Sequence, residues 1–151
     1  MKQSNILIRP MLEQDVAQIA QIEKQCFSLP WTESCVRNEL TNPLSMWLVA
    51  AVDDEVAGYI GSQTVLGEAD IMNIAVSPKH RRQGIGKKLL MELEDRLRTN
   101  DVYCLTLEVR TSNDPAILMY EQLGYNLVGR RPNYYQKPKE DALILRKEWK
   151  I

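Results

Sequence analysis

Ile74-Ala75-Val76-Ser77-Pro78-Lys79-His80-Arg81-Arg82-Gln83-Gly84-Ile85-Gly86-Lys87 is the stretch that decides how this chain is read. An apolar strand stops at Ser77-Pro78, a basic turn follows, and Gly-x-Gly opens a helix over residues 84–98. Ile85, Leu89, Leu90, Leu93 and Leu97 share one face of that helix. The first N–H groups of a helix have no partner within it, and the helix dipole adds partial positive charge at the same end. Gly84 and Gly86 keep side chains out of the way of a ligand approaching the backbone. Lys79, Arg81, Arg82, Lys87 and Lys88 gather here, with no acidic residue between positions 71 and 91. The stretch therefore predicts an anion site. It is not a dinucleotide fingerprint, because Leu89 stands where the third glycine belongs. Nor is it a nucleotide-triphosphate loop, because Arg81 and Lys88 replace its first glycine and its Ser or Thr.

Working outward, residues 5–9 alternate and predict a strand ending at Pro10. Asp15 reads as a helix N-cap with Gln18 at the capping-box position, and Val16, Ile19, Ile22 or Glu23, and Cys26 form the apolar stripe. Thr32 caps a short second helix to about residue 40, which Asn42-Pro43 ends. Residues 46–52, 56–65 and 69–76 read as an antiparallel meander. Residues 103–109 form a strand. Asp114-Pro115 reads as a cap followed by a first-turn proline, and Gly124 sits where that helix ends. Residues 125–130 and 142–147 are the last two strands. The order is βααβββαβαββ, a mixed α/β domain running over 1–151.

Composition narrows the class. A length of 151 residues fits one domain at ~150 residues per domain. Nineteen Lys and Arg against 20 Asp and Glu give a net charge of −1, with 44% apolar and 26% charged residues. That balance excludes a disordered chain, and it excludes one that binds nucleic acid by bulk charge. No apolar run approaches the ~20 residues of a membrane span, and the polar start at Met1–Ser4 predicts no signal peptide. Three scattered cysteines, Cys26, Cys35 and Cys104, argue against a disulfide framework and against zinc. His80 is the one histidine, so a His-rich metal site is excluded, as is a Ser-His-Asp triad that does not use it. The expectation is a reduced, cytoplasmic protein without metal. Near-neutrality also hides an uneven map, with five of the 19 basic residues between positions 79 and 88.

Arg81-x-x-Gly84-x-Gly86 after an apolar strand resembles the pyrophosphate loop of the GCN5-related N-acetyltransferases, Gln/Arg-x-x-Gly-x-Gly/Ala. The resemblance implies a single domain with a mostly antiparallel, mixed central sheet and helices on both faces. It also implies acetyl-coenzyme A as co-substrate. Arg81, Arg82, Gln83, Gly84, Ile85, Gly86 and Lys87 would hold the pyrophosphate, and Ile74, Ala75 and Val76 the pantetheine arm. The plainer alternative is a surface helix start with a solvated basic face. Further motifs are Leu107-Glu108-Val109-Arg110, Ser112-Asn113, Ala116-Ile117-x-x-Tyr120-x-x-Leu123-Gly124-Tyr125, Pro30-Trp31-Thr32, Arg131-x-Asn133-Tyr134-Tyr135 and Glu140-Asp141-Ala142-Leu143-Ile144-Leu145. These are similar to the ribosomal-protein-alanine (RimI-type) branch. The resemblance then implies an acceptor, the N-terminal alanine of the eighteenth small-subunit ribosomal protein. Lysine or small-molecule amines remain as alternative acceptors, as does a non-catalytic coenzyme-binding module. Neither a membrane nor a direct nucleic-acid partner is expected.

Acetyl transfer to an amine must deprotonate the ammonium, polarise the thioester carbonyl and protonate the departing thiolate. An α-amine has a pKa near ~8, so a base helps at neutral pH. The resemblance points to Glu108 as that base, directly or through water; the alternative is a strand glutamate paired with an arginine such as Arg110. It points to Tyr120 as the acid that protonates the sulfur; the alternative is an amphipathic packing tyrosine. Asn113 would bind the pantetheine arm, although Asn before Asp-Pro is also good cap chemistry. Carbonyl polarisation falls to a backbone N–H near Val76. Trp31, Tyr134 and Tyr135 are candidates for the acceptor groove. Trp31 reads equally well as a core staple, and the two tyrosines are expected in a loop. His80 reads as a solvated loop residue, and Met72, Met91 and Met119 as core filler.

Overall fold

The computed structural model describes residues 5–149, so the polar start at residues 1–4 lies outside the described residues. Its elements are β1 (Ile6–Pro10), α1 (Val16–Cys26), α2 (Glu33–Asn38), β2 (Ser45–Val52), β3 (Glu55–Val65), β4 (Glu68–Val76), α3 (Ile85–Thr99), β5 (Cys104–Arg110), α4 (Asp114–Gln122), β6 (Asn126–Tyr135) and β7 (Glu140–Glu148). Short 3₁₀ turns at Glu13–Asp15 and Pro78–His80 precede α1 and α3. This is the predicted order. The strands form one seven-stranded sheet, β1-β2-β3-β4-β5-β7-β6, antiparallel throughout except where β4 meets β5.

Both faces of the sheet are covered. Ile85, Leu89, Leu90, Leu93 and Leu97 of α3 pack with Leu48, Ala50, Ile60, Ala69, Leu105 and Leu107 on one side. Val16, Ile19 and Ile22 of α1 and Val36 of α2 pack with Trp47, Val49 and Tyr59 on the other. Double coverage explains why β2 is nearly continuously apolar instead of alternating. The helix start predicted at Thr32 is present, its Oγ1 accepting from the Cys35 N–H at 3.2 Å.

Two other caps differ from expectation. Asp15 does not cap α1. Its carboxylate accepts from the Leu12 N–H at 2.7 Å, closing the 3₁₀ turn, and takes two bonds from Arg9 at 2.6 and 2.9 Å. Gln18 forms no capping box, because its Oε1 accepts from the Val56 N–H at 2.9 Å. At α4 the cap is Asn113, accepting from the Ala116 N–H at 3.4 Å, so Asp114 is already the first helical residue. Two adjacent residues with equal capping chemistry cannot be separated by type alone. Met72 and Met91 are also not core filler, being 38% and 48% exposed, whereas Met119 does pack against the core.

The feature that positions the site is the junction of β4 and β5. They pair in parallel only at Glu68–Cys104, Ala69–Leu105 and Asp70–Thr106. Beyond these pairs, residues 71–76 stay with β3 and residues 107–110 with β7. The facing edges part and leave an opening in the middle of the sheet. A bulge lies at the parting point: Ile71 and Asn73 face consecutive residues Ser62 and Gly61, leaving Met72 as the extra residue.

Candidate active site

The opening is flanked at one end by the start of α3. Arg82 and Gly84 both take left-handed backbone conformations, with φ of 66° and 72°. The N–H groups of residues 82–87 meet no acceptor among the described residues. A Cβ at Gly84 would touch nothing within 4 Å, and one at Gly86 would come no nearer than 3.9 Å to Val76. The cradle is thus open on its outer side and lined by free donors, which suits the diphosphate of a coenzyme. The five local cations divide their work. Lys79 is bridged to Glu55, and Arg81 turns back so that its Nε donates to the Val76 carbonyl at 3.4 Å, with Cys26 Sγ 3.3 Å away. Arg82, Lys87 and Lys88 are exposed and form no ion pair among the described residues. His80 is not solvated as expected: only 14% of its side chain is exposed, and it lies 3.3 Å from Glu55.

Ile74, Ala75 and Val76 run along the stretch of β4 that stays paired with β3 but has left β5. Ile74 and Val76 pack toward the α3 side and Ala75 toward the α1 side. Across the opening, Leu107 and Val109 of β5 point into the α3-side core, which turns Glu108 to the opposite face. Glu108 is a partly exposed carboxylate 3.3 Å from Arg131 of β6. Arg110 is not its partner. That guanidinium pairs with Glu140 at 3.2 Å and lies over the Tyr135 ring, 4.4 Å from its centroid. Tyr134 and Tyr135 belong to the irregular end of β6 and not to a loop; Tyr135 is paired with Glu140 of β7. Their rings meet edge to face at 5.0 Å, and Arg131 covers Tyr134 at 5.8 Å. Burial, then the Glu108 charge, pushes the Tyr134 phenol up; burial, with Tyr134 and Glu108 beside it, does the same to Tyr135.

Glu140 also holds the β5–α4 connection. It accepts from the Ser112 N–H at 2.6 Å and the Thr111 hydroxyl at 3.0 Å. Ser112 foremost, then Thr111 and Arg110, hold its carboxyl at about 2. The next residue, Asn113, spends its Oδ1 on the α4 cap, leaving its NH₂ without a protein partner among the described residues. Tyr120 comes from α4 on the α3 side of the sheet. It is 4% exposed, edge-on to Tyr125 at 5.7 Å, and its hydroxyl has no protein partner among the described residues. Burial pushes its phenol up to about 12. Tyr125 anchors this corner: its hydroxyl donates to Glu94 at 2.7 Å, and Lys147 reaches the same carboxylate at 2.8 Å.

The α1 side of the sheet holds a group the sequence left ambiguous. Trp31 is half-buried, its ring tilted against Trp47 at 5.3 Å, so the core contact is present. Its N–H donates to Glu23 at 2.8 Å. Glu23 is 1% exposed and also accepts from the Tyr59 hydroxyl and the Asn73 amide. Burial pushes its carboxyl up to about 7, against the Trp31 and Asn73 hydrogen bonds. The available signal was the helical stripe itself, which offered Ile22 or Glu23; the structure buries both.

Three comparisons bear on this arrangement. The chain is 43% identical over 128 residues to a ribosomal protein bS18-alanine N-acetyltransferase of Salmonella typhimurium, covering 83% of this chain and 85% of that protein. It is 38% identical over 139 residues to a putative ribosomal protein bS18-alanine N-acetyltransferase of Bacillus subtilis, covering 91% and 92%. The crystal structure of the ribosomal-protein-S18-alanine N-acetyltransferase from Escherichia coli superposes with a TM-score of 0.90 at 34% identity, covering 97% of this chain and 96% of that one. The Acetyltransferase (GNAT) family model matches residues 16–125, which spans α1 through α4 and so includes the opening, the α3 cradle and Tyr120. This chain belongs to the acetyltransferase (GNAT) family.

Proposed function

We propose that this protein transfers the acetyl group of acetyl-coenzyme A to a protein N-terminal α-amine, namely the alanine that begins ribosomal protein bS18, in the cytoplasm. The observation that carries this reading is the parted β4–β5 edge, with a donor-lined helix start at one end and Glu108 and Tyr120 on its two faces. The pyrophosphate fits the cradle of residues 82–87, and the extended pantetheine arm fits the edge at Ile74, Ala75 and Val76, with the Asn113 amide beside it. Trp31 on one side and Tyr134 and Tyr135 on the other supply rigid walls for a short peptide. Both named relatives reported above carry this same activity in their names.

The chemistry follows from the residues. Glu108 takes a proton from the α-ammonium, directly or through water. The amine nitrogen attacks the thioester carbonyl and a C–N bond forms; the nitrogen then gives up its second proton to solvent as the C–S bond breaks, and water restores the proton that the tyrosine supplies. Tyr120, held neutral by burial, gives its proton to the leaving sulfur. Incubation with acetyl-coenzyme A and an alanine-starting bS18 peptide is expected to release free thiol and block the peptide's α-amine, as read by mass mapping. Acetylation confined to a lysine side chain or a small amine would overturn the acceptor assignment.

A further inference from the structure

Four parts of the fold meet at Glu23: α1, which carries it, the α1–α2 loop through the Trp31 N–H, β3 through Tyr59, and the β4 bulge through Asn73. The contacts form a closed ring. Trp31 leans on Trp47, Trp47 stacks on Tyr59 at 5.8 Å, and the Tyr59 hydroxyl returns to the carboxylate that holds the Trp31 backbone. No cation balances this carboxylate among the described residues. Tyr59 is the one titratable group touching it. Lys24 is exposed, Cys26 turns to the Val76 carbonyl, and Glu39 hydrogen-bonds the far side of the Trp47 ring. A buried, unbalanced carboxylate is a poor way to build a core, and its reason must lie in what it holds.

We infer that Glu23 is a positioning residue for the acceptor, fixing the Trp31 wall to the β4 strand at the bulge where the sheet parts. The inference rests on the proposed acceptor reading. The group must be a carboxylate because it accepts from three donors at once. A glutamine has one acceptor oxygen: set where Tyr59 and Asn73 share Oε2, it keeps those two donors and turns its NH₂ on the Trp31 N–H, which loses its acceptor. Ionisation works against stability here. With the folded group raised to about 7 from an ordinary 4.5, its stabilising contribution is full below about pH 4.5 and is lost as pH rises through 7. Removing the charge is therefore expected to leave the fold as stable or more stable at pH 8 while loosening the acceptor wall.

The test is steady-state kinetics and melting of Glu23→Gln and Tyr59→Phe beside the wild-type protein. For Glu23→Gln the expected result is a KM for the alanine peptide raised about tenfold, the scale of one lost charge-assisted hydrogen bond. The KM for acetyl-coenzyme A and kcat at saturating peptide should stay within about twofold, and the Tm at pH 8 should be unchanged or higher. Tyr59→Phe, which removes only the hydroxyl, should shift the peptide KM in the same direction by less. An unchanged peptide KM in both variants would overturn the inference. So would a fall of Tm at pH 8 with both KM values rising together, the mark of a merely structural group. If the wild-type protein acetylates a different amine, the acceptor reading has failed, and Glu23 is judged by the same KM split on that amine.

Discussion

Glu108 and Tyr120 stand on opposite faces of the sheet; on the proposed mechanism one acts on the nucleophile and the other on the leaving group. Glu108→Gln and Tyr120→Phe are each expected to lower kcat about a hundredfold, within the usual range for general acid–base groups, with little change in acetyl-coenzyme A binding. Steady-state kinetics beside calorimetric coenzyme titration separates the two quantities. Because burial pushes the Tyr120 phenol up to about 12, it stays protonated through the working range. Tyr120→Phe should therefore lower the pH–rate profile without moving its alkaline limb below about pH 10. Asp15 acts on stability instead. Burial alone would raise its carboxyl, but the Arg9 bonds and the Leu12 N–H outweigh that and hold it below the ordinary value. The stability it contributes is present above the unfolded carboxylate range and is lost as pH falls below it. Asp15→Asn should flatten the acid side of the melting curve, as followed by circular dichroism between pH 3 and 6.

At the scale of elements, the α3 start couples fold to ligand. Gly84 has open space around its α-carbon but a φ of 72°. Gly84→Ala should thus cost about 1 kcal/mol of backbone strain and distort the donor cradle, raising the KM for acetyl-coenzyme A more than it lowers Tm. Helix α3 was legible in the sequence because five apolar residues at helical spacing admit one buried face, and the order of elements along the chain followed from the turn residues between apolar runs. Other features were hidden for physical reasons. Asn113 and Asp114 compete for one cap. The Glu108–Arg131 pair joins residues 23 apart in sequence, so nothing local announces it. Tyr134 and Tyr135 lie where β6 loses its regular register, which period-two patterning cannot follow. Periodicity offered Ile22 or Glu23 for the buried face, and the three donors to Glu23 come from other parts of the fold that no spacing rule reaches.

The whole molecule is two half-sheets, β1–β4 and β5–β7, joined by three residue pairs. On the proposed reading, acetyl-coenzyme A bridges them. At one hundred times its Kd the coenzyme should add about 2.7 kcal/mol of stability, or roughly 5–10 °C of Tm for a chain of this size. Thermal melting with and without the coenzyme measures this directly. The element order was readable because each strand and helix carries its own pattern, whereas the single sheet and the family came from the resemblance carried by Arg81-x-x-Gly84-x-Gly86 and the downstream motifs. The parting of β4 from β5 was not, since both strands read as ordinary apolar runs and only their mutual register reveals the gap.

That gap gives the substrate an architectural part. On the proposed reading, an extended pantetheine arm lying along Ile74, Ala75 and Val76 supplies the hydrogen-bond partners that a neighbouring strand would otherwise provide, so the loaded enzyme has a more complete ladder than the empty one. Each turnover then mends and reopens the protein's own sheet. Amide exchange along β4 should slow when coenzyme is bound and quicken when it leaves, while the β1–β2 ladder stays indifferent.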